Sequence, residues 1–254
     1  MTKRSIYLRD VIIALTQKEL KAKFKTTSLG FLWIIINPLI QMVVLTIVFS
    51  LFLRISVPNY PFFVFSGLLP WMYFTLSTQS AISSLVSNRD LIKKISFPRE
   101  ILPISSILAN LYIYILALRI LIIWSYFSGQ QMFFLIFLIP IIVLQSLLTL
   151  GISLLLSSLD IYYRDISYAF QAILLPLFYL TPIFYPISLI PSNYIDVYKL
   201  NPLVGIITSY QAVFVDRTYF DIYAMLISVL WTSIILLFGY ITFKKRSYYF
   251  AEWV

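Results

Sequence analysis

The sequence predicts an all-α membrane protein, a single domain built around six transmembrane helices. Three observations carry this. Of 254 residues, 61% are hydrophobic and 11% are charged, whereas a soluble domain typically carries about 25% charged residues. Charge-free runs long enough to cross a bilayer recur along the chain, and mean hydropathy is +0.91. Lysine and arginine gather in alternate connecting segments. Cys and His are both absent, so disulfides, thiolate metal sites, thiol nucleophiles and imidazole bases are excluded.

Residues 5–28 place Leu8, Val11, Ile12, Leu15 and Ala22 on one helical side, with Arg9, Lys18, Lys21 and Lys25 mostly on the other. That is the pattern of an N-terminal amphipathic interfacial helix, with its lysines toward anionic lipid. The apolar run Val11–Leu15 is too short for the core of a cleaved leader, so none is expected. Residues 31–53 form a charge-free run of 23, roughly 35 Å as a helix and enough for a hydrocarbon core of about 30 Å. Pro58 and Pro61 turn the chain into a second span at 62–86. A third follows at 101–127, interrupted by Arg119. Ser128, Gly129, Gln130 and Gln131 make a turn before a fourth at 132–157. The fifth, 168–185, contains Pro176 and Pro182, and the sixth is 222–243.

Orientation follows from the basic residues. With the N-terminus cytoplasmic, fifteen Lys and Arg fall in inside segments. Arg54, Lys199 and Arg217 fall outside. Both termini are therefore expected in the cytoplasm. The excess of 19 basic over 10 acidic residues is then membrane topology, and nucleic acid is not an expected partner. The outer segment 186–221 is more apolar than a solvated loop. Re-entrant gate helices on the outer face account for it, and so does a small packed cap.

The charged stretch Asn88–Pro103, NRDLIKKISFPREILP, stands between two long uncharged runs. Leu91, Ile92, Ile95 and Phe97 alternate with Arg89, Asp90, Lys93, Lys94, Arg99 and Glu100. A short amphipathic helix fits, with Pro98 to halt it. Two readings fit the stretch: a docking surface for a partner, or a solvated connector whose lysines report topology. No phosphate-binding loop can be built from the six glycines, because no two lie five residues apart. If nucleotide drives this protein, a separate chain supplies the ATPase.

Catalytic chemistry finds little footing. Asp160 and Asp165 are the one close acidic pair in a cytoplasmic loop, fewer oxygen ligands than a metal site usually takes. Arg164 beside Asp165 reads as a structural or intersubunit ion pair. No metal site and no catalytic residue is expected. Arg119 either snorkels or meets an anionic substrate in a water-filled path. Tyr112 and Tyr114, deep in the third span, are candidates with Arg119 for lining a channel, since phenol rings stack on sugar faces.

Seven motifs in order then resemble one family. They are KFKTTSLGFLWIIINPLI (Lys23–Ile40), YPFFVFSGLLPWMYF (Tyr60–Phe74), the charged stretch itself, YYRDI (Tyr162–Ile166), LTPIFYPISLIP (Leu180–Pro191), LNPLVGII (Leu200–Ile207) and FAEWV (Phe250–Val254). Together they resemble the permease subunits of bacterial ABC transporters that export O-antigen, teichoic acid and capsular polysaccharide. The resemblance implies a non-enzymatic inner-membrane subunit that binds no cofactor itself. It also implies a homodimer paired with two copies of a cytoplasmic ATPase that uses ATP and Mg. A lipid-linked glycan would enter near the interfacial helix and leave past the outer gate. The family's coupling helix falls on residues 88–100, through Asn88, Leu91, Lys93, Lys94, Phe97, Pro98, Arg99 and Glu100. Phe24, Lys23, Lys25, Asp160 and the Arg89-Asp90 pair depart from the family pattern. Two other classes stay open: a small-molecule or drug exporter permease, and a membrane-embedded lipid-phosphate glycosyltransferase.

Overall fold

The structure is a computed structural model that describes residues 3–24, 30–95, 97–128, 132–216 and 220–253. Lys25, Arg217 and most of the turn expected at 128–131 lie outside the described residues. Eleven α-helices run in order among the described residues, and no strand is found among them. Helix α1 spans Lys3–Phe24. Its half-buried stripe is Leu8, Val11, Ile12, Leu15, Glu19 and Lys23, while Ala22 is exposed. The inward face is thus rotated from the one the apolar residues alone suggest, and it carries a lysine.

Helix α2, Trp33–Thr46, contains Pro38 and runs on as a π-helical turn, Ile47–Phe52. Asn59 adopts a left-handed backbone with φ 50°, a conformation asparagine tolerates. With Pro61 in the first turn, it starts α3, Tyr60–Ser87. Helix α3 is the axis of the fold. It buries 19 of its 28 residues and packs against α2, α5 (Ile101–Phe127) and α6 (Leu138–Asp160). The last long helix is α10, Ile222–Ser247.

Among the described residues, four helices are long and apolar enough to cross a membrane: Trp33–Phe52, Ile101–Phe127, Leu135–Asp160 and Ile222–Ser247. The α2 stretch is the least covered, with 11% of its window buried against 28–44% in the other three. Its surface is therefore left for lipid or another subunit. The span expected at 62–86 is a charge-free helix whose serines, threonines and tyrosines lower its hydropathy. The span expected at 168–185 takes the form of helix α7, Asp165–Tyr179, which has 15 residues, about 22 Å, and stops at Tyr179 rather than running to 185. The cause lies in the sequence: Pro182 has no N–H to donate, and the residue before a proline leaves the helical region.

The chain from Thr181 to Pro186 is irregular and largely buried, so its backbone groups need partners within the protein. Gln211 Nε2 donates to the Pro182 carbonyl at 2.7 Å and to that of Ile183 at 3.4 Å. The Tyr60 hydroxyl donates to the Phe184 carbonyl. Asn201 Nδ2 donates to the Leu180 carbonyl at 3.3 Å. Beyond the break lie α8, Ser192–Lys199, and α9, Pro202–Gln211. Helix α9 is almost wholly buried against α10, where a Cβ on Gly205 would stand 2.3 Å from the Ala224 carbonyl oxygen. The short helix α11, Phe250–Trp253, ends the described chain.

Candidate functional site

The charged stretch folds as α4, Arg89–Lys94. Asp90 stands in its first turn and Lys93 and Lys94 in its last, which complements the helix dipole. Ile95 is already extended, so the helix ends at Lys94, four residues before Pro98 rather than at it. Ile92 anchors the element in a cluster with Leu85, Leu102, Leu154, Ile161, Phe243 and Phe250. That cluster draws together the end of α3, the start of α5 and the ends of α6 and α10.

The eight residues implied by the family resemblance part into two groups. Lys93 and Lys94 are exposed, together with Arg89, Asp90 and Ile95. Asn88 is buried, and its amide is held within the chain. It accepts from Lys18 Nζ of α1 at 2.7 Å and donates to the Ser84 carbonyl at 2.9 Å. Leu91, Phe97 and Pro98 are half-buried. Arg99 donates to the Tyr248 carbonyl at 3.4 Å, and Glu100 pairs with Lys244 at 3.2 Å. The outward face of α4 is therefore basic and narrow, and its root is tied to α1 and to the end of α10.

The neighbouring corner, 160–165, packs beside it. Asp160 is buried and accepts the Ser167 backbone N–H at 3.2 Å. Asp165 is exposed, so the two carboxylates face different surroundings. Arg164 and Asp165 form no ion pair among the described residues. Arg246 lies over the Tyr162 ring at 5.5 Å, and Trp253 meets the same ring edge-on at 5.2 Å. Helix α11 thus comes to rest against α4 and this corner. The sequence carried no signal for that contact beyond the apolar character of the last residues.

Within α5 the three channel candidates separate. Tyr112 and Arg119 are exposed on one stripe, seven residues apart. Tyr114 faces inward, 3% exposed and stacked on Tyr73 at 4.9 Å. It lines a cavity of about 250 Å³ with Lys23, Trp33, Asn37 and Asn110. The Lys23 amine donates to Asn110 Oδ1. Burial pushes the Lys23 amine below its ordinary value, and Glu19 partly opposes this.

At the opposite end of α10 from α4, Lys199 and Asp221 pair at 2.6 Å, joining the end of α8 to the start of α10. Asp221 Oδ1 also accepts the Ala224 N–H at 3.0 Å, capping α10. Burial raises the Asp221 carboxyl. The Lys199 ammonium and the Ala224 and Tyr223 N–H groups outweigh this and hold it below its ordinary value. A carboxyl so lowered stabilises the fold above the usual carboxylate range, and the contribution is lost as pH falls through the lowered value. Asp221→Asn keeps a capping side chain and removes the ion pair, for an expected cost of about 1 kcal/mol. Asp221→Ala removes both, for about 2 kcal/mol. Thermal unfolding in detergent at neutral pH checks the order, and the gap between wild type and Asp221→Asn should close in acid.

Comparison with known proteins identifies the family. Residues 10–215 match the ABC-2 type transporter membrane family. The chain is 35% identical over 254 residues to the O-antigen export system permease protein RfbA of Myxococcus xanthus, covering 98% of this chain and 97% of that one. It is 32% identical over 250 residues to the RfbA of Klebsiella pneumoniae, covering 97% and 95%. Similarity to the polysialic acid transport protein KpsM of Escherichia coli is 24% over 205 residues, or 76% and 77%. A buried helical core, several helices long and apolar enough to cross a membrane and a short tethered charged helix thus belong to a chain that is a member of the ABC-2 type transporter family.

Proposed function

We propose that this chain is the membrane-spanning subunit of an ATP-driven exporter that carries a lipid-linked polysaccharide out of the cytoplasm. O-antigen is the first choice of cargo, with teichoic acid or capsule as the alternatives. One observation carries the substrate class: similarity to O-antigen permeases along nearly the whole chain. In this reading two copies assemble with two cytoplasmic ABC ATPases, which use ATP and Mg, and this chain does no bond chemistry. It sits in the bacterial inner membrane with both termini inside. The six spans are α2, α3, α5, α6, the short α7 and α10, and the segment 186–221 is the outer gate.

The tethers give this reading a mechanical route. Glu100–Lys244 and Arg99–Tyr248 join the coupling loop to the cytoplasmic end of α10. Lys199–Asp221 joins the other end of α10 to the outer segment, and Ser228 Oγ donates to the Pro202 carbonyl there at 2.7 Å. A displacement of α4 by the ATPase is thus passed along one continuous helix to the outer face.

Deleting the gene is expected to remove surface glycan and to leave lipid-linked glycan inside the cell. Unchanged glycan in both places, with no redundant transporter, would point instead to a small-molecule exporter. Lys93→Glu with Lys94→Glu is expected to cut export at least tenfold while leaving the amount of folded protein unchanged. Both residues are exposed and make no ion pair among the described residues.

A further inference from the structure

Beside α4 lies a small concavity of about 20 Å³, lined by Val86, Arg89, Ile161, Arg164 and Trp253. Its walls come from four places: the end of α3, the start of α4, the 160–165 corner and α11. Two arginines 75 positions apart in sequence are thereby brought to one recess with an indole beside them. Both are exposed, and neither forms an ion pair among the described residues. Asp90 and Asp165, their neighbours in sequence, are exposed and paired with neither. The buried Asp160 feels the field of Arg164, but its Oδ1 is taken by the Ser167 N–H.

Two like charges sharing a recess repel, and a single anion between them relieves that repulsion. A guanidinium presents a planar fork of N–H donors that matches a carboxylate in two-pronged fashion, and it stays charged at any physiological pH. The Trp253 ring, 61% exposed, supplies an aromatic wall of the kind enriched where binding energy concentrates. The volume suits one small group rather than a sugar or a nucleotide. The recess is also continuous with the outward face of α4.

We infer that Arg89, Arg164 and Trp253 form a carboxylate-accepting notch, and that its occupant is an Asp or Glu side chain of the ATPase subunit. This rests on the assembly proposed above and adds to it. The docking face is not α4 alone, because the 160–165 corner and the C-terminal helix complete it. The notch ties recognition to two positively charged positions that the ATPase must match with an acid. A lysine at either position lacks the fork and holds the acid less well.

The test uses the full-length chain in lipid nanodiscs with its cognate ABC ATPase, measuring ATPase retention against salt. Arg89→Ala with Arg164→Ala is expected to weaken retention at least tenfold at low salt, with the gap to wild type narrowing as salt rises and screens the ion pair that the variant lacks. Arg89→Lys with Arg164→Lys should fall between that variant and wild type. Thermal unfolding of each variant shows that the fold is intact. Wild-type retention by the double alanine variant, with Lys93→Ala/Lys94→Ala impaired, would overturn the notch and leave the α4 docking intact. A wild-type chain that retains no ATPase would overturn the assembly itself. Repeating the measurement in neutral and in anionic nanodiscs tests the other phosphate- or carboxylate-bearing neighbour. A defect confined to anionic discs would assign the notch to lipid headgroups and overturn the proposal.

Discussion

Gly239→Leu is expected to prevent the chain from reaching its folded state in the membrane. Helices α6 and α10 cross with backbone against backbone at this point. A Cβ on Gly239 would stand 2.2 Å from the Gly151 carbonyl oxygen, and a Cβ on Gly151 would stand 2.7 Å from the Leu236 Cα. Those neighbours are backbone, which cannot rotate away as the tip of a side chain can. Lipid tails are as apolar as leucine, so close van der Waals approach at small residues is what drives helices together here. Overpacking in a core costs about 1–3 kcal/mol and occasionally more, and a leucine that parts two backbones belongs at or beyond the upper end. Gly239→Ala should be milder but still destabilising. At Gly30 no atom lies within 4 Å of a built Cβ, so Gly30→Ala there meets only the strain of φ 46°, about 1–2 kcal/mol. Membrane-inserted yield and thermal midpoint in detergent should rank the variants in that order. A Gly239→Leu chain as stable as wild type would refute the close crossing.

Gln211→Leu is expected to loosen the end of the bundle around 181–186 without disturbing the end that carries α4. The Gln211 amide fills the donor role that the irregular stretch 181–186 lacks, through its bonds to Pro182 and Ile183. Gly67 on α3 lets this happen, since a Cβ there would press on Gln211 Nε2 at 3.0 Å and on the Ile183 carbonyl oxygen at 3.1 Å. A leucine of similar size leaves the Pro182 carbonyl without a donor in a buried site, at a cost of about 1–3 kcal/mol. Gln211→Glu should be worse, because an ionised carboxylate offers no donor and would itself be buried. Limited proteolysis from the outer side should cut residues 178–186 sooner in both variants, while the ATPase still binds. Unchanged cleavage rates would mean that Gln211 does not hold the break.

How far the sequence reached can be judged from particular residues. Charge placement located α4, and composition and the charge-free runs identified a helical membrane protein. The apolar 186–221 segment was legible as structure rather than loop, while Pro176 and Pro182 were visible in the fifth span without showing that its helix stops at Tyr179. These are one-dimensional properties. They depend on what a residue is and on how far it lies from its neighbours in sequence, and the bilayer acts on both directly through hydrophobic thickness and charge.

Facing was another matter. In a chain this apolar, lipid-exposed and core-exposed surfaces have nearly the same composition, so periodicity does not tell one from the other. Tyr112 and Tyr114 looked alike in sequence, yet one is 54% exposed and the other 3%. Asn88, Arg99 and Glu100 read as part of a docking surface, yet their side chains are engaged by Lys18, Tyr248 and Lys244 from the two ends of the chain. The pairing of Arg89 with Arg164 around Trp253 has no sequence signature either. The sequence by itself determined that this chain is a helical membrane protein, with most of its charges in the segments between its apolar runs. Only the tertiary structure decided which of those charged side chains remain free. That choice is made by long-range hydrogen bonds and close glycine contacts between segments far apart in the chain, which no local pattern encodes.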